Sequence, residues 1–235
     1  MTSLPRPIAP EALETVPTSE LLNELKRRHT LLSKANAYTA LIGPPCVGKR
    51  TQAEALRRTY GICRISGEDL LAAGKSDDAA ISKLMELLER PVCRRGYVLE
   101  GFPQTAMQAK RLEEVLAKND RPPLQEAIFM DAPDELLMER CKGKIVHEAS
   151  GRIYHEQFKP PADGVKDDFT GEPLTQVPFA EAKFGDSCSK FRENVDLLKQ
   201  YFSKTKVRTH IVDASAGGDV ISGAIGESLN RPASE

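Results

Sequence analysis

The stretch from Gly43 to Thr51 constrains the fold more than any other part of this chain. Its sequence, Gly43-Pro-Pro-Cys-Val-Gly48-Lys49-Arg-Thr51, matches the pattern G-x-x-x-x-G-K-[ST] at every fixed position. A short apolar run at 37–42 precedes it, and a helical pattern follows it. In this context backbone N–H groups cradle phosphate oxygens, and the helix N-terminus adds a positive dipole. The sequence therefore predicts an α/β protein that holds a nucleotide by its phosphates.

Individual positions of the loop have distinct predicted roles. Lys49 is expected to reach the β- and γ-phosphates, and Thr51 to lie near Mg²⁺. Cys46 stands where phosphate loops of kinases usually carry a third glycine, so a positive φ or crowding there would lower the affinity. The predicted ATP-binding residues of the loop are Gly43, Cys46, Val47, Gly48, Lys49, Arg50 and Thr51.

Strand and helix patterns alternate along the remainder of the chain. Further apolar runs fall at 62–65, 97–99, 127–131 and 209–213, and helical patterns at 18–34, 51–60, 68–71, 79–89, 106–117, 133–142, 186–204 and 219–229. This alternation predicts a parallel sheet covered by helices on both faces. Residues 144–178 differ, because glycines and prolines are mixed there with polar and aromatic residues. That composition predicts a small strand-and-turn insertion.

Charge and cysteine content limit the partners and the compartment. The formal net charge of −1 gives no reason to expect a nucleic acid or a membrane surface as a partner. The five cysteines are odd in number and include no C-x-x-C pair, which argues against a disulfide framework or a zinc ribbon. The acidic N-terminal segment fits neither a secretory signal nor a mitochondrial transit peptide. We therefore expect a cytoplasmic protein.

Two polar stretches beyond the loop carry the most specific remaining signal. Residues 147–161 contain the pattern S-G-R-x-Y-H, and residues 166–174 contain D-D-x-T-G-E. With these motifs, the chain from about residue 40 onward resembles the adenylate kinase family of nucleoside-monophosphate kinases. The resemblance implies a P-loop NTPase core at 37–235, with a long lid at 144–178 and a shortened monophosphate-binding element at 66–95. Residues 1–36 would then form an N-terminal extension with one helix.

The resemblance implies further ATP-site residues outside the loop. Arg140 would lie near the adenine and Lys144 at the lid hinge, and with Lys49 they would form the catalytic set. Ile153 and Tyr154 of the lid would complete the ATP site.

A metal and a second nucleotide would bind at the next strand end. Glu100 would be the carboxylate associated with Mg²⁺, together with Thr51. The sequence Glu100-Gly-Phe-Pro-Gln-Thr105 resembles the family motif D-G-F-P-R-T, and Gln108 fits the glutamine that contacts the AMP base. The AMP-binding residues implied in this way are Gly101, Phe102, Pro103, Gln104 and Gln108.

The lid itself would be held by polar side chains rather than by a metal. The zinc-free lids of the family contain a polar cluster, which here would be formed by His147, Ser150, Asp167 and Thr170. No cysteine lies in the lid, so we expect no zinc.

The chain departs from the family pattern where the family presents arginines to the phosphoryl groups. These positions hold Ala72, Gln104, Lys144, Val177 and Ser187 or Cys188. At the last of them, Lys190 or Arg192 could supply the charge if the alignment were shifted by a few residues. Phosphoryl transfer depends on positioning and charge stabilisation, and one such arginine can be worth roughly 10³–10⁵ in rate. We therefore expect weakened catalysis.

Two functions follow from these observations. The first is an adenylate kinase-like phosphotransferase (ATP + AMP = 2 ADP), a monomer that uses Mg²⁺ and takes AMP or another nucleoside monophosphate as acceptor. The alternative is a catalytically impaired nucleotide-binding pseudo-kinase that acts as a sensor or scaffold. In that alternative the N-terminal helix would be the docking element.

Overall fold

The computed structural model describes residues 17–32, 36–74 and 76–230 of the chain. These residues fall into two units, divided between Asn36 and Ala37. The first unit contributes one described helix, α1 (Thr18–Leu32). The predictions for residues 1–16 and for the end of this helix at residue 34 lie outside the described residues.

The second unit alternates strands and helices. Its elements are β1 (Ala37–Ile42), α2 (Lys49–Tyr60), β2 (Cys63–Ser66), α3 (Gly67–Ala72), α4 (Asp77–Leu88), a 3-10 turn (Pro91–Cys93), β3 (Gly96–Glu100), α5 (Ala106–Lys118), β4 (Glu126–Asp131), α6 (Asp134–Lys142), β5 (Lys144–His147), β6 (Arg152–His155), β7 (Thr175–Gln176), α7 (Glu181–Phe202), β8 (Arg208–Asp213) and α8 (Gly218–Asn230).

Five strands form a parallel sheet in the order β2-β3-β1-β4-β8. All six residues of β1 are buried, as expected for a central strand that is covered on both faces. The prediction of an α/β fold with a parallel sheet between helices is therefore confirmed.

The core lies in two layers, one on each face of the sheet. On one face Ala40 and Leu99 pack with Leu84, Leu112 and other residues of α4, α5 and α7. On the other face Leu41, Val98 and Ile128 pack with residues of α2, α6 and α8. Since alternate strand residues point to opposite faces, near-continuous apolar strands supply both layers.

Residues 144–178 contain a second, three-stranded antiparallel sheet, where the composition of the segment predicted a small insertion of strands and turns. Its strand order is β6-β5-β7, and Val146 of β5 is paired with Ile153 of β6 and with Thr175 of β7. The short strands are joined by turns, in which Gly151 and Gly171 have positive φ angles of 66° and 69°.

The expectation that the cysteines form no disulfide is wrong. Cys46 is bonded to Cys141, and Cys63 to Cys93, whereas Cys188 is free and buried. The partners are 95 and 30 residues apart in sequence, and the fold brings their Cα atoms to 5.6 and 4.8 Å. Local spacing could not reveal these pairs because the parallel sheet, and not a Cys-x-x-Cys turn, places the partners together.

No described helix is both long enough and apolar enough to cross a membrane.

Candidate nucleotide-binding site

The phosphate loop connects β1 to α2 at the carboxyl edge of the parallel sheet, where ligands of open α/β sheets bind. A Cβ atom at Gly43 would lie 2.6 Å from the carbonyl oxygen of Met130, so only glycine fits there. Val47 is fully buried and anchors the loop in the core. Gly48 precedes α2 with a φ of 101°, a conformation that favours glycine.

Lys49 is the first residue of α2, and its side chain turns back over the loop. Its Nζ donates hydrogen bonds to the carbonyl oxygens of Gly43, at 2.7 Å, and Pro44, at 2.6 Å. Burial lowers the pKa of Lys49 to about 8, against the opposing effect of the Glu100 and Glu68 carboxylates. Much of the Lys49 population is therefore ionised at neutral pH, and the ammonium lies beside the backbone that would cradle a phosphate.

Glu100, the predicted metal-associated carboxylate, ends β3 next to the loop. Its side chain is largely buried and forms an ion pair with Arg64 of β2. The adjoining Gly101 has a φ of 71°, and a Cβ atom there would lie 3.3 Å from Cε of Lys49. Thr51 lies exposed in the first turn of α2. The structure thus brings Lys49, Glu100 and Gly101 together at two neighbouring strand ends.

Arg140, predicted to lie near the adenine, is fixed by backbone carbonyl groups. Its guanidinium donates to the carbonyl oxygens of Ala214, Ser215 and Ala216 at 2.7, 3.4 and 3.3 Å, which places it beside the loop after β8. The guanidinium also lies 5.4 Å from the ring centroid of Phe158 in the lid. Partial burial lowers the pKa of Arg140, but a guanidinium remains ionised at neutral pH.

The lid contacts the phosphate-loop helix directly. Arg50 donates from Nη2 to the carbonyl oxygen of Gly151 at 2.9 Å. Lys144 is the first residue of β5, and its charge is close enough to Lys49 to lower the pKa of Lys49. Ile153 and Tyr154 lie in β6, where the Tyr154 side chain is buried in the lid. The ATP-site residues expected in the lid are therefore carried by one small sheet that reaches the loop.

The predicted polar cluster of the lid is confirmed. His147 Nδ1 lies 2.7 Å from Ser150 Oγ, and Asp167 Oδ2 accepts hydrogen bonds from the Thr170 amide and hydroxyl at 2.9 and 3.0 Å. His147 Nε2 lies 3.5 Å from Thr170 Oγ1, which joins the two pairs.

Arg152 and Glu172, which the sequence analysis did not assign to the cluster, complete it. Arg152 donates to both Asp167 oxygens at 2.7 and 2.6 Å, and Glu172 lies 2.6 Å from His147. The Arg152 guanidinium holds the pKa of Asp167 well below its usual range. Both residues lie within the S-G-R-x-Y-H and D-D-x-T-G-E motifs, so the motifs held the signal that would have identified them.

The predicted AMP-site residues lie together between β3 and α5. Phe102 is fully buried, and the Phe102–Pro103 peptide bond is cis. Gln108 is buried, accepts from the Gln104 amide at 2.8 Å and donates to Asp77 of α4 at 2.9 Å. The amide group expected to read the base is thus held between the strand-end loop and the shortened monophosphate-binding element.

Several positions that carry arginines in the family lack a cation here. Ala72 and Gln104 are exposed at this edge, and the buried thiol of Cys188 is close enough to Lys49 to influence its pKa. Arg192 is ion-paired with Asp131 and Asp134. Arg64 is a cation that the sequence analysis missed. Its contact with Glu100 arises from the pairing of β2 with β3, which leaves no local signal.

Among the described residues, no group of three or more histidine, cysteine or acidic side chains is arranged to hold a metal ion. The absence of zinc stays a prediction.

Comparisons with known proteins agree with this geometry. The family model described as "Adenylate kinase, active site lid" matches residues 145–177. Adenylate kinase 4 of Oryza sativa subsp. japonica is 33% identical over 213 residues, which cover 82% of this chain and 87% of the relative. The chain belongs to the adenylate kinase family. Adenylate kinase 4 of Arabidopsis thaliana is 32% identical over 89% of this chain and 94% of its own length. An adenylate kinase of Talaromyces marneffei is 40% identical over 58% of this chain and 57% of its own length.

As a member of the adenylate kinase family, the chain is an adenylate kinase-like nucleotide phosphotransferase. The comparisons give no support to the alternative of a pseudo-kinase. The family model for the lid matches residues 145–177, which is the segment that forms the small sheet of β5, β6 and β7.

Proposed function

We propose that this protein transfers the γ-phosphoryl group of MgATP to AMP, giving two molecules of ADP. The observation that carries the proposal is the position of Lys49, which donates to two phosphate-loop carbonyls and is near enough to the Glu100 carboxylate for that charge to raise its pKa. In the reaction an oxygen of the AMP phosphate attacks the γ-phosphorus, and the bond to the β,γ-bridging oxygen breaks. The electrons of that bond remain with the ADP that leaves.

The loop and Lys49 supply the charge stabilisation that this transfer needs. Loop N–H groups and the N-terminus of α2 hold the β-phosphate, and the Lys49 ammonium leaves its two carbonyl partners to contact the β- and γ-oxygens. Arg140 borders the adenine beside the loop after β8. Lys144 adds a second cation from the lid side, although an ammonium lacks the two-pronged geometry of arginine.

The strand-end residues fit a bound Mg²⁺. The Thr51 hydroxyl and the Glu100 carboxylate are oxygen donors, which Mg²⁺ prefers, and no soft sulfur ligand is needed. Bound there with ATP, the metal would neutralise charge on the β- and γ-phosphates. Arg64 would hold the Glu100 carboxylate in place during binding.

We further propose the roles of the individual regions. Residues 37–235 would be the kinase domain, with 66–95 as the monophosphate-binding element and 144–178 as the lid, and 1–36 would be a separate extension. The acceptor would be AMP or another nucleoside monophosphate, with no nucleic acid or membrane partner, and the protein would act as a cytoplasmic monomer. Two disulfides do not contradict this compartment, since cytosolic disulfides are typically transient and redox-sensing.

A coupled assay of ADP formation from ATP and AMP tests the proposal. The wild type should form ADP, and Lys49→Ala should lose most of this activity while remaining folded. GMP, CMP and UMP offered in place of AMP would define the acceptor. Binding of MgATP without any phosphoryl transfer would contradict the proposal and favour a sensor or scaffold.

A further inference from the structure

The Cys46–Cys141 disulfide joins two parts of the proposed ATP site. Cys46 lies in the phosphate loop, and Cys141 lies in the last turn of α6, directly after Arg140 and three residues before Lys144. The bond therefore ties the loop that holds the phosphates to the helix that leads into the lid. The Cys63–Cys93 disulfide, by contrast, closes the base of the monophosphate-binding element.

Cys46 has a backbone conformation that a cysteine does not favour by itself. Its φ angle is 58°, in the left-handed region, where an L-residue other than glycine costs roughly 1–2 kcal/mol. Anion-binding loops use this conformation because alternating right- and left-handed residues turn successive N–H groups toward one point. The bond to Cys141 anchors the Cys46 side chain and thereby holds the loop in the phosphate-binding shape.

The two disulfides differ in exposure. Cys46 and Cys141 are both half-buried, whereas Cys63 and Cys93 are only 6% and 8% exposed. Thiol–disulfide exchange requires an attacking thiolate to reach a sulfur atom, so exposed bonds are the labile ones. A reductant should therefore open the loop disulfide first.

We propose that Cys46 and Cys141 form a thiol–disulfide exchange site whose oxidised state binds MgATP more tightly than its reduced state. The reaction partner is a dithiol, for which dithiothreitol is the probe. This inference rests on the proposed function, because it assumes that MgATP binds the phosphate loop.

The exchange is a balanced two-electron reaction. One thiolate of the dithiol attacks a sulfur of the pair, which forms a mixed disulfide and releases the other cysteine as a thiolate. The second thiol of the dithiol then resolves the mixed disulfide, so that the dithiol is oxidised and Cys46 and Cys141 are reduced to thiols. A disulfide of the same chemical class reverses the reaction.

Reduction should weaken nucleotide binding by a measurable factor. Once Cys46 is released, the loop can leave the left-handed conformation, and MgATP must restore it on binding. The cost of that conformation corresponds to an affinity about 5- to 30-fold lower for the reduced protein.

Calorimetric titration of MgATP into the full chain at increasing dithiothreitol concentrations tests the inference. Alkylation and mass spectrometry on the same samples report which disulfide is open. The dissociation constant should rise about 5- to 30-fold in step with opening of Cys46–Cys141, before Cys63–Cys93 opens. Because this readout follows each bond in the wild type, it does not depend on the folding of any variant.

Two variants provide matched comparisons. Cys141→Ala should have the reduced-type affinity with or without reductant, while Cys63→Ala/Cys93→Ala should keep the redox dependence. Equal MgATP affinity with the loop disulfide open and closed, or a redox-dependent affinity in Cys141→Ala, would overturn this inference alone. Absence of MgATP binding in every state would overturn the proposed function and this inference with it.

Discussion

Lys49 has a pKa that is set by two opposing features of its surroundings. Burial among the loop atoms disfavours the ammonium, while the Glu100 and Glu68 carboxylates favour it, and the resulting value is about 8. Nearby Lys144 also lowers the pKa. The positive charge of Lys49, which we propose contacts ATP, is therefore present below about pH 8 and is progressively lost above it.

This balance predicts a pH-dependent affinity for MgATP. Between about pH 7 and about pH 9 the dissociation constant of the wild type should rise roughly tenfold, because Lys49 loses its proton over this range. Lys49→Arg should show little pH dependence, since a guanidinium stays ionised throughout. Calorimetric titrations across this range make the comparison, and a flat wild-type profile would show that Lys49 does not carry the phosphate interaction.

Removal of the charge should weaken binding at every pH where Lys49 is ionised. Lys49→Ala is expected to cost about 1.5–3 kcal/mol of MgATP affinity, the range for a hydrogen bond to a charged group. The value follows from the dissociation constants of the two proteins at about pH 7. An unchanged constant would mean that ATP does not bind this loop.

The residue pattern predicted the phosphate loop, and the family resemblance predicted the lid cluster and the strand-end motif, but neither predicted the pairs that depend on the fold. The loop positions are recognisable because phosphate binding needs glycine and lysine at a fixed spacing. The Arg64–Glu100 ion pair and the Cys46–Cys141 bond join residues that are distant in sequence. Only the packing of the elements against one another brings those side chains together.

At the scale of elements, the bounds of a helix or strand are easiest to predict from the sequence where the element is fully buried. The buried strand β1 was predicted at its observed bounds, since both of its faces are covered by helices. Helix α7 begins at Glu181, earlier than the predicted residue 186. Its start carries no side-chain cap and Gly185 interrupts the helical pattern, so local signals place the beginning too late.

The ion pair between Asp167 and Arg152 is expected to stabilise the lid, and the Asp167→Asn variant tests this expectation. This change should accelerate proteolytic cleavage within residues 144–178 several-fold, while the unfolding temperature of the parallel-sheet core changes little. Glu148→Gln, on an exposed turn of the lid, is the matched control and should leave cleavage unchanged. Equal cleavage of both variants and the wild type would show that the ion pair does not stabilise the lid.

The acid sensitivity of the lid should follow from the same carboxylate. Because the folded lid lowers the pKa of Asp167 below its ordinary value of 3.8, the stabilising contribution is complete above that value and is lost as the pH falls further. The contribution of Asp167 to lid stability, taken as the difference in hydrogen-exchange protection between the wild type and Asp167→Asn, should therefore stay constant from about pH 8 to about pH 5. A change in this difference within this range would contradict the assignment.

The monophosphate-binding element should respond to restored charge. Ala72 and Gln104 stand where the family presents arginines, and both are exposed, so longer side chains can be accommodated. Ala72→Arg with Gln104→Arg should raise kcat/KM for AMP, since one arginine in such a site can contribute roughly 10³-fold or more. Ala73→Arg with Gln104→Arg adds the same charge one residue further along and serves as the control.

Two results would contradict this account of the element. The first is an equal gain in both double variants, which would show that an arginine at residue 72 makes no specific phosphate contact. The second is a wild-type turnover of about 1–100 s⁻¹ with AMP, the ordinary range for kinases, which would mean that another cation already replaces the arginines.

At the scale of the whole molecule, the two proposed nucleotide sites differ in how completely they match the family. The ATP side keeps the phosphate loop, Lys49 and a folded lid that contacts Arg50. The AMP side keeps its strand-end loop and Gln108 but lacks cations at Ala72 and Gln104, and the exposed Glu68 carboxylate adds like charge. A phosphate dianion should therefore be held more weakly on the AMP side.

Separate calorimetric titrations of the oxidised protein with MgATP and with AMP measure this difference between the two proposed sites. MgATP should bind more tightly than AMP. The Lys49→Ala change should weaken MgATP binding and leave AMP binding nearly unchanged. Tighter binding of AMP than of MgATP would mean that the better-matched phosphate loop is not the stronger site.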